Sequence, residues 1–222
     1  MSTLKLRVAT TAEDTAAVIA LRDTVYVQDQ GRLADVSATA ATFDRFDRHA
    51  AYLLAWLDGV PVGTVKVIPD TAAGLPCDDT VDLSLLRKGN QLAEIGHLMT
   101  VPNARHRAIG MALMRAALVH AVTTHGATHV LGDFFAEDDG GLRGFYLDLG
   151  FTVVGTPYRD ERFSGAPLSV VGALDLAAAA ERCRGQHGRN SRTLRYFFAD
   201  YPDYPGHFDG IDTRPQAREI AG

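Results

Sequence analysis

The sequence lacks most of the features that mark secreted, membrane-spanning or nucleic-acid-binding proteins. It has two cysteines, Cys77 and Cys183, far apart and without metal-ligand spacing, which favours a reduced cytoplasmic protein with no metal site. Its 22 Lys and Arg residues are outnumbered by 27 Asp and Glu, and the net charge of −5 argues against nucleic-acid or membrane-surface binding as the main role. No apolar run approaches the ~20 residues that span a bilayer, and the polar N-terminus is unlike a signal peptide.

The pattern of apolar residues predicts one α/β domain with a mixed sheet. The length of 222 residues fits one domain with an appendage, and an apolar fraction of 46% is enough for a substantial core. Asp58-Gly59 between two apolar runs is a strong hairpin signal, and Gly126 stands where a helix C-cap is expected. Predicted strands cover residues 4–8, 51–57, 60–68, 92–101, 127–135, 151–158 and 167–176, and predicted helices cover 12–31, 109–125 and 137–149.

The first of these helices has clear end signals. Thr10 and Thr11 precede two acidic residues, which is typical of a helix N-terminus, and Gly31 is a predicted stop. The side chains predicted to form its buried side are Ala16, Ile19, Ala20 and Val27.

The segment 177–222 differs in character from the rest of the chain. A short helix is predicted over 177–184, and residues 185–190 are expected to be polar and loose. Five aromatic residues then fall between positions 196 and 204, and such a cluster is costly to leave in water. The extension 177–222 is therefore predicted to pack on the domain 1–176 or on a second subunit, which would make the protein a homodimer.

The stretch 93–114 combines a strand, a basic loop and a helix start. Pro102 cannot continue the hydrogen-bond ladder of a central strand, and helical spacing resumes after Ile109. The loop 105–110 therefore opens a helix, where unpaired N–H groups and a partial positive charge favour an anion. Small residues let a ligand approach the main chain and two arginines add charge, so the loop is predicted to bind a diphosphate.

This loop and a second motif resemble the GNAT superfamily of N-acyltransferases. Arg105, Ala108 and Gly110 match its coenzyme A pyrophosphate loop, Arg/Gln-x-x-Gly-x-Gly/Ala, although Ala108 stands where the family usually has glycine. The run 145–151 (FYLDLGF) is similar to the family's FY-x-x-x-GF signature. The resemblance covers about residues 4–176 and implies an α/β fold with a mixed, mostly antiparallel sheet, splayed at its centre, with helices on both faces. It also implies direct acyl transfer from acyl-CoA, most simply acetyl-CoA, to a primary amine.

The resemblance further implies which residues hold the cofactor. Main-chain groups near Met99 and Val101 would pair with the pantetheine arm in the manner of an added strand. Asp139 stands where the family often has an asparagine that touches the pantetheine, but an ionised carboxylate can only accept a hydrogen bond. The cofactor-binding residues implied are Leu98, Met99, Thr100, Val101, Arg105, His106, Arg107, Ala108, Ile109, Gly110, Met111, Ala112, Asp139 and Tyr146.

Three residues are candidates for the proton transfers of N-acylation. Glu94 lies eleven residues before Arg105, the offset of the catalytic glutamate in the histone-acetylating branch of GNATs. A carboxylate in an apolar strand is costly to bury, and an ion-paired edge residue is the alternative interpretation. His97 is the rival base, or else a structural histidine, and regular pleating puts it on the face opposite Glu94 unless a bulge intervenes. Tyr146 matches the signature tyrosine that donates to the coenzyme A sulfur, or else is a core aromatic.

The N-terminal third carries a second resemblance. The runs 21–26, 43–47 and 67–69 are similar to acyl-homoserine lactone synthases and long-chain N-acyl amino acid synthases. These are GNAT-fold enzymes that often take acyl groups from acyl carrier protein. An ordinary amphipathic helix and an aromatic loop would explain the same runs. The acids could hold an amine and the arginine a carboxylate of the acceptor, and the residues concerned are Arg22, Asp44 and Asp47.

The sequence leaves three functions open. The first is an N-acyltransferase that uses acyl-CoA and a small-molecule amine. The second is a longer-chain N-acyl amino acid synthase supplied by acyl-CoA or acyl carrier protein, and the third is a non-catalytic acyl-CoA-binding regulatory module. Asp133 and Asp138 are expected to cap a helix or to be solvated.

Overall fold

The computed structural model describes residues 3–35, 39, 43–137 and 141–204 of the chain. These residues form a sheet with the strands β1 (Leu4–Val8), β2 (Ala51–Leu57), β3 (Val60–Pro69), β4 (Leu92–Thr100), β5 (His129–Phe135), β6 (Thr152–Tyr158) and β7 (Ser169–Asp175). The order across the sheet is β1-β2-β3-β4-β5-β7-β6. Every neighbouring pair is antiparallel except β4 and β5. The predicted mixed, mostly antiparallel sheet is therefore confirmed.

The α-helices of the described residues are α1 (Ala12–Arg22), α2 (Ile109–His125), α3 (Leu142–Leu149), α4 (Leu176–Arg184), α5 (Gln186–Asn190) and α6 (Arg192–Phe198). Gly126 closes α2 with a φ of 63°, the left-handed conformation that the predicted C-cap requires. Residues 185–190, predicted to be loose, instead contain α5. Gly188 lets this short helix lie against α4, since a Cβ there would fall 1.9 Å from the Cys183 carbonyl oxygen.

Helix α1 begins as predicted but buries a different side. Thr11 caps it, with the Asp14 amide donating to the Thr11 hydroxyl at 3.1 Å. The predicted side is wrong, because Ala16 and Ala20 are exposed. The helix turns two charged residues inward: Asp14 pairs with Arg7 at 2.6 Å, and Arg22 donates to Tyr52. The side chains that are buried in its place are Asp14, Ala17, Val18, Leu21 and Arg22.

Beyond Arg22 the chain does not continue as an α-helix to Gly31. It forms a π-helix over Asp23–Asp29, whose wider turn is seen in the bond from the Gln30 amide to the Val25 carbonyl oxygen at 3.0 Å. Gly31 then reverses the chain with a φ of 60°.

Helices cover both faces of the sheet, as predicted. Alternation along β2 places Leu53 on the face covered by α2 and Leu54 on the face covered by α1. Leu149 of α3 lies in the same core cluster as Leu53, so α3 shares the face of α2. On the opposite face, residues of the long connection 70–90 pack against Ile68.

The C-terminal extension packs on the sheet domain, which was one of the two predicted options. Phe197 and Phe198 are 0% and 1% exposed and belong to the main core cluster. Arg115 of α2 bonds the Asp200 carboxylate at 2.8 Å, which ties the end of the extension to the domain. Residues 177–204 therefore complete one wall of the core, and a separate domain boundary at residue 176 stays a prediction.

Strands β4 and β5 pair only at their beginnings. Residues 92–94 are in register with residues 129–131, and in the described part of the chain this ladder goes no further. The strands then diverge, which leaves the main chain of residues 95–100 without a β5 partner. The sheet is thus splayed at its centre, as predicted.

Candidate active site

The diverging ends of β4 and β5 open a cleft of about 350 Å³. Residues 95–100 of β4 and 131–135 of β5 form its two long walls. Arg105 and Gly110 of the loop before α2 lie on its lining, and Tyr146 of α3 lies there too. We call this space the sheet cleft. On the edge that faces this cleft, residues 95–100 of β4 have no β5 partner, which is the geometry that accepts an extended ligand as an additional strand.

A second cavity of about 570 Å³ adjoins the sheet cleft on the α1 side of the sheet. Its lining includes Lys66, Glu94, Tyr158 and Arg162, with further residues of the connections before β2, after β3 and after β6. We call it the charged cavity. Both volumes lie in the range that binds small molecules.

The two cavities share part of their lining, and we call these shared residues the junction. They come from the π-helix, the turn after it, β4 and β5, and they are Tyr26, Arg32, Gly96, His97, Asp133 and Phe135. Glu94 lines only the charged cavity, whereas Tyr146 lines only the sheet cleft. A molecule that occupies the junction therefore lies between the Glu94 carboxyl group in the charged cavity and the Tyr146 phenol in the sheet cleft.

The loop before α2 presents free main-chain donors. The Arg105 amide donates to the Pro102 carbonyl oxygen at 3.3 Å, and the first bond of α2 runs from the Ala112 amide to the Ala108 carbonyl oxygen at 3.0 Å. Within the described residues nothing accepts from the amides of residues 106–111. A diphosphate placed at this helix start would meet these donors and the positive end of the helix.

Two residues of this loop have the left-handed backbone that favours glycine. His106 has a φ of 63° and Ala108 a φ of 57°. Ala108 therefore occupies its motif position at a conformational cost of roughly 1–2 kcal/mol. The replacement of glycine by Ala108 therefore imposes a backbone strain in addition to adding a methyl group beside the ligand path.

The Arg105 side chain is already engaged within the protein. Its guanidinium forms an ion pair with the carboxylate of Asp29, the last residue of the π-helix. This pair joins the loop to the π-helix that contains Tyr26, so a shift of the loop is expected to move the π-helix side of the junction.

Glu94 has the properties of a proton acceptor that works near neutral pH. Its side chain is 7% exposed, and its Oε2 accepts from the Cys77 amide at 2.9 Å. Burial raises the pKa of Glu94 to about 7, although the hydrogen bonds from Cys77 act in the opposite direction. A pKa close to the working pH is the optimum for general-base catalysis.

His97 faces the same cavity as Glu94 because β4 is bulged. The register shifts between Thr64 and Lys66 of β3, opposite His97, whose φ is 51°. The bulge removes the alternation that would have separated the two side chains. His97 Nδ1 lies 2.9 Å from the Tyr26 hydroxyl, and burial together with nearby cations holds the pKa of His97 well below its usual range.

Tyr146 is fixed by aromatic contacts. Its ring stacks on Phe134 at 4.8 Å between centroids and meets Phe151 edge-on at 5.2 Å. Burial, with a contribution from the Asp133 charge, raises the pKa of Tyr146 to about 12, so the phenol keeps its proton at neutral pH. No described residue accepts from its hydroxyl, which is therefore available to a ligand in the sheet cleft.

The three predicted acceptor residues meet around one buried lysine. Lys66 is 0% exposed and lies 3.3 Å from Asp44 Oδ1 and 3.1 Å from Asp47 Oδ1. Tyr52 donates to Asp47, and Arg22 donates to the Tyr52 hydroxyl at 2.7 Å. Asp44 lines the charged cavity, whereas Arg22 and Asp47 lie behind that lining. Arg22 and Asp47 therefore do not contact a ligand in this cavity directly. They can affect it only by positioning Tyr52 and Lys66.

The sequence profile of the N-acyl amino acid synthase FeeM family matches residues 17–173 of the chain, which is most of its length. The chain belongs to this family. It is therefore an N-acyltransferase, as the two motifs in its sequence predicted. No match was found among curated protein sequences.

Solved structures show the same fold. FeeM itself, an N-acyl amino acid synthase from uncultured soil microbes, aligns with a TM-score of 0.67 and 23% identity over 82% of this chain and 95% of that one. The acyl-homoserine lactone synthase BjaI, CoA-dependent, gives 0.57 and 19% over 81% and 89%. An acyl-CoA N-acyltransferase from Pseudomonas aeruginosa gives 0.53 and 19% over 77% and 99%.

In this member of the FeeM family, the predicted cofactor residues differ in their relation to the sheet cleft. Leu98, Met99, Thr100, Arg105, Gly110 and Tyr146 line the sheet cleft. The side chains of Ile109 and Ala112 are buried in the core. The amide of Ile109 stays available to a ligand, whereas the amide of Ala112 donates to the Ala108 carbonyl oxygen. Asp139, like Asp138, lies outside the described residues. The remaining predicted positions follow the cleft along the chain without lining it: Val101, His106, Arg107, Ala108 and Met111.

Sequence reasoning missed two charged residues of this site. Asp133 was expected to cap a helix or to be solvated. It is exposed, but to the two cavities and not at the outer surface: it lies in β5 at the junction. Partial desolvation between the cavity walls raises the pKa of Asp133. Lys66 lies in β3, inside an apolar run. Both carry the signal that had singled out Glu94, a charged residue within an apolar strand.

The described residues contain no cluster of three or more His, Cys, Asp or Glu side chains that could hold a metal ion. Among the helices in this part of the chain, none combines the length and apolar character needed to cross a bilayer.

Proposed function

We propose that the protein joins an acyl group, carried as a thioester, to the amino group of an amino acid. The observation that supports this proposal is the meeting of two cavities at one junction, with Glu94 on one side and Tyr146 on the other. The donor would lie in the sheet cleft with its pantetheine arm along residues 95–100, and its diphosphate, if the donor is a CoA ester, at residues 106–111. The acceptor would enter from the charged cavity.

The chemistry follows from the protonation states of the two groups. An amine is mostly protonated at pH 7 and must lose a proton before it can attack. Glu94, with a pKa of about 7, accepts that proton. The amine nitrogen attacks the thioester carbonyl carbon, and a tetrahedral intermediate forms. Its carbon–sulfur bond then breaks, and the thiolate takes a proton from the Tyr146 hydroxyl. The nitrogen, which still carries one proton more than the amide, returns a proton to the Tyr146 phenolate, and Glu94 releases its proton to solvent.

Direct transfer is favoured over a covalent acyl-enzyme. Cys77 is buried beside Glu94, and burial first, then the Glu94 charge, raises the pKa of its thiol. A thiol held protonated is a poor nucleophile. The two substrates therefore meet each other in the junction.

The acyl chain is expected to be longer than acetyl. Part of the lining of the sheet cleft is apolar and includes Val25, Met114, Leu131 and Phe151. Such a wall favours a hydrocarbon tail through burial of apolar area. Acetyl-CoA, the simplest donor predicted from the sequence, is the alternative that a donor series decides.

The test is a matrix of donors and acceptors. Acetyl-, octanoyl-, dodecanoyl- and palmitoyl-CoA, and the same chains on acyl carrier protein, are each supplied with single amino acids or with simple amines. We expect thiol release and an N-acyl amino acid, identified by mass spectrometry, with the longer donors. If acyl-CoA binds but no amino acid of the panel causes thiol release, the proposal is overturned. If the simple amines also cause no thiol release, the non-catalytic alternative is favoured.

A further inference from the structure

Of the six junction residues, Arg32 is the cation and Asp133 is the acid. We infer that Arg32 binds the carboxylate of the acceptor and thereby makes the enzyme select amino acids over simple amines. This inference rests on the function proposed above and identifies a specificity-determining residue for it.

Three contacts fix the position of Arg32. Its amide donates to the Tyr26 carbonyl oxygen at 2.7 Å, and its own carbonyl oxygen accepts from the Ser164 amide at 2.9 Å. Its guanidinium carbon lies 5.2 Å from the centre of the Phe135 ring, a normal cation–π separation. Main chain and side chain together hold the guanidinium at the junction, where it is half-buried.

The other cations of the charged cavity have partners within the protein. They are Lys66 with Asp44 and Asp47, Arg45 with Asp79, Arg162 with Asp160, and Arg159 with the Ala166 carbonyl oxygen. In the described part of the chain, no carboxylate forms an ion pair or hydrogen bond with Arg32. A half-buried guanidinium without a counter-ion is suited to bind a carboxylate, because its planar fork matches two carboxylate oxygens.

The charges at the junction match an amino acid. A zwitterion carries its ammonium and carboxylate on the same carbon, so the site needs an acid and a cation close together. Asp133 at the junction and Glu94 in the adjoining charged cavity provide the acids, and Arg32 at the junction provides the cation. With the carboxylate on Arg32, the amine is held in the cavity whose lining also carries Glu94, the group that would remove its proton.

The enzyme would discriminate against a simple amine because that amine leaves the Arg32 guanidinium without a partner. An amine without a carboxylate would cover Arg32 and leave it desolvated without a partner. Sites with such unsatisfied polar groups reject the incomplete analogue strongly. The expected preference for an amino acid over its decarboxylated analogue is therefore roughly a hundredfold or more in kcat/KM.

The experiment compares L-phenylalanine with phenethylamine, which lacks the carboxylate, using dodecanoyl-CoA as the donor. Wild-type protein, Arg32→Gln and Arg32→Lys are assayed by thiol release. For Arg32→Gln we expect KM for phenylalanine to rise at least tenfold, and kcat/KM for phenethylamine to change less than threefold. Arg32→Lys should keep part of the preference, because it retains the charge but not the planar fork.

The matched control is Arg45→Gln. Arg45 lines the same cavity but is paired with Asp79 at 3.5 Å. Its replacement should leave the ratio between the two acceptors unchanged. Circular dichroism checks that each variant is folded, and if Arg32→Gln does not fold, the ratio measured for Arg32→Lys decides.

The outcomes separate this inference from the proposed function. Equal losses with both acceptors, a rise in KM for dodecanoyl-CoA alone, or a wild-type protein indifferent to the carboxylate would each overturn the role of Arg32 while leaving acyl transfer intact. If phenylalanine is not accepted, the best amino acid of the panel and its decarboxylated analogue replace the pair. A wild-type protein that acylates no amino acid overturns the proposed function, and the inference with it.

Discussion

The sheet cleft and the charged cavity meet at the junction, yet they are built from different materials. The sheet cleft is lined largely by backbone and by apolar or aromatic side chains: the edge of residues 95–100 that β5 leaves open, Gly110 at the start of α2, and the rings around Tyr146. The charged cavity is made of ionisable side chains from distant parts of the chain, including Lys66, Glu94 and Arg162. In the proposed function, the backbone-lined site would bind the donor that stays constant, whereas the side-chain-lined site would allow the acceptor to change without disturbing the fold.

The largest expected effect falls on the charged cavity. Glu94→Gln should lower kcat by roughly 10²–10⁴-fold, the usual contribution of a general base. In the wild type, activity should rise with pH through about 7 as Glu94 ionises, and the variant should lack this rise. Thiol release measured from pH 5.5 to 9 tests both points, with the exposed Glu13→Gln as control. If the variant keeps activity within threefold of wild type, a group other than Glu94 accepts the proton.

On the side of the sheet cleft, the aromatic wall should carry the largest stability effect. Phe197 is fully buried, and its ring lies 6.0 Å from that of Phe145, which in turn contacts Tyr146. Phe197→Ala should lower the free energy of unfolding by about 3–5 kcal/mol. Urea denaturation measures it, and Leu85→Ala, at a side chain 76% exposed, should change it by less than about 0.5 kcal/mol. Similar losses for both would contradict a core role for α6.

The buried carboxyl should also make stability depend on pH. The pKa of Glu94 rises from 4.5 in the unfolded chain to about 7 in the fold, so the folded state binds the proton more tightly. The contribution of Glu94 to the free energy of unfolding is therefore greatest below pH 4.5 and is lost as the pH rises to about 7. At pH 8 the loss is on the order of 3 kcal/mol, and Glu94→Gln should recover most of it. Denaturation at pH 5 and pH 8 tests this, since the gain should be much smaller at pH 5.

A smaller effect is expected from the phenol on the sheet-cleft side. Tyr146→Phe keeps the stack on Phe134 but removes the proton donor. Because a thiolate is already a good leaving group, kcat should fall by only about 10- to 100-fold. Tyr201→Phe, in the extension, is the control. A loss that appears in KM for the donor and not in kcat would mean that the hydroxyl positions the thioester without protonating it.

The smallest effect concerns the loop. Ala108→Gly should raise the free energy of unfolding by roughly 0.5–1 kcal/mol, because glycine adopts the φ of 57° without steric cost. The same substitution at Ala112, inside α2, should lower it by about 1 kcal/mol or more. Opposite signs in thermal denaturation would confirm that backbone conformation sets the residue preference at position 108.

The two regions also differ in how far the sequence predicts them. Helix α2 was predicted to the residue, and the loop before it was recognised, because both depend on neighbours in the chain. The buried side of α1 was predicted wrongly because Asp14 and Arg22 find partners on β1 and β2, which local periodicity does not contain. The place of Asp133 at the junction was missed for the same reason, since it depends on how β5 faces β4. The bulge at His97 was named as an option but could not be chosen without the register of β3.

The aromatic contacts from Phe197 through Phe145 to Tyr146 link a late segment of the chain to the thioester end of the reaction. The family profile ends at residue 173, well before Phe197. The aromatic packing behind Tyr146 therefore extends beyond the part of the chain that the profile covers. Since neither Phe145 nor Phe197 lines either cavity, a smaller side chain at either position would shift the tyrosine without removing a cavity-lining residue.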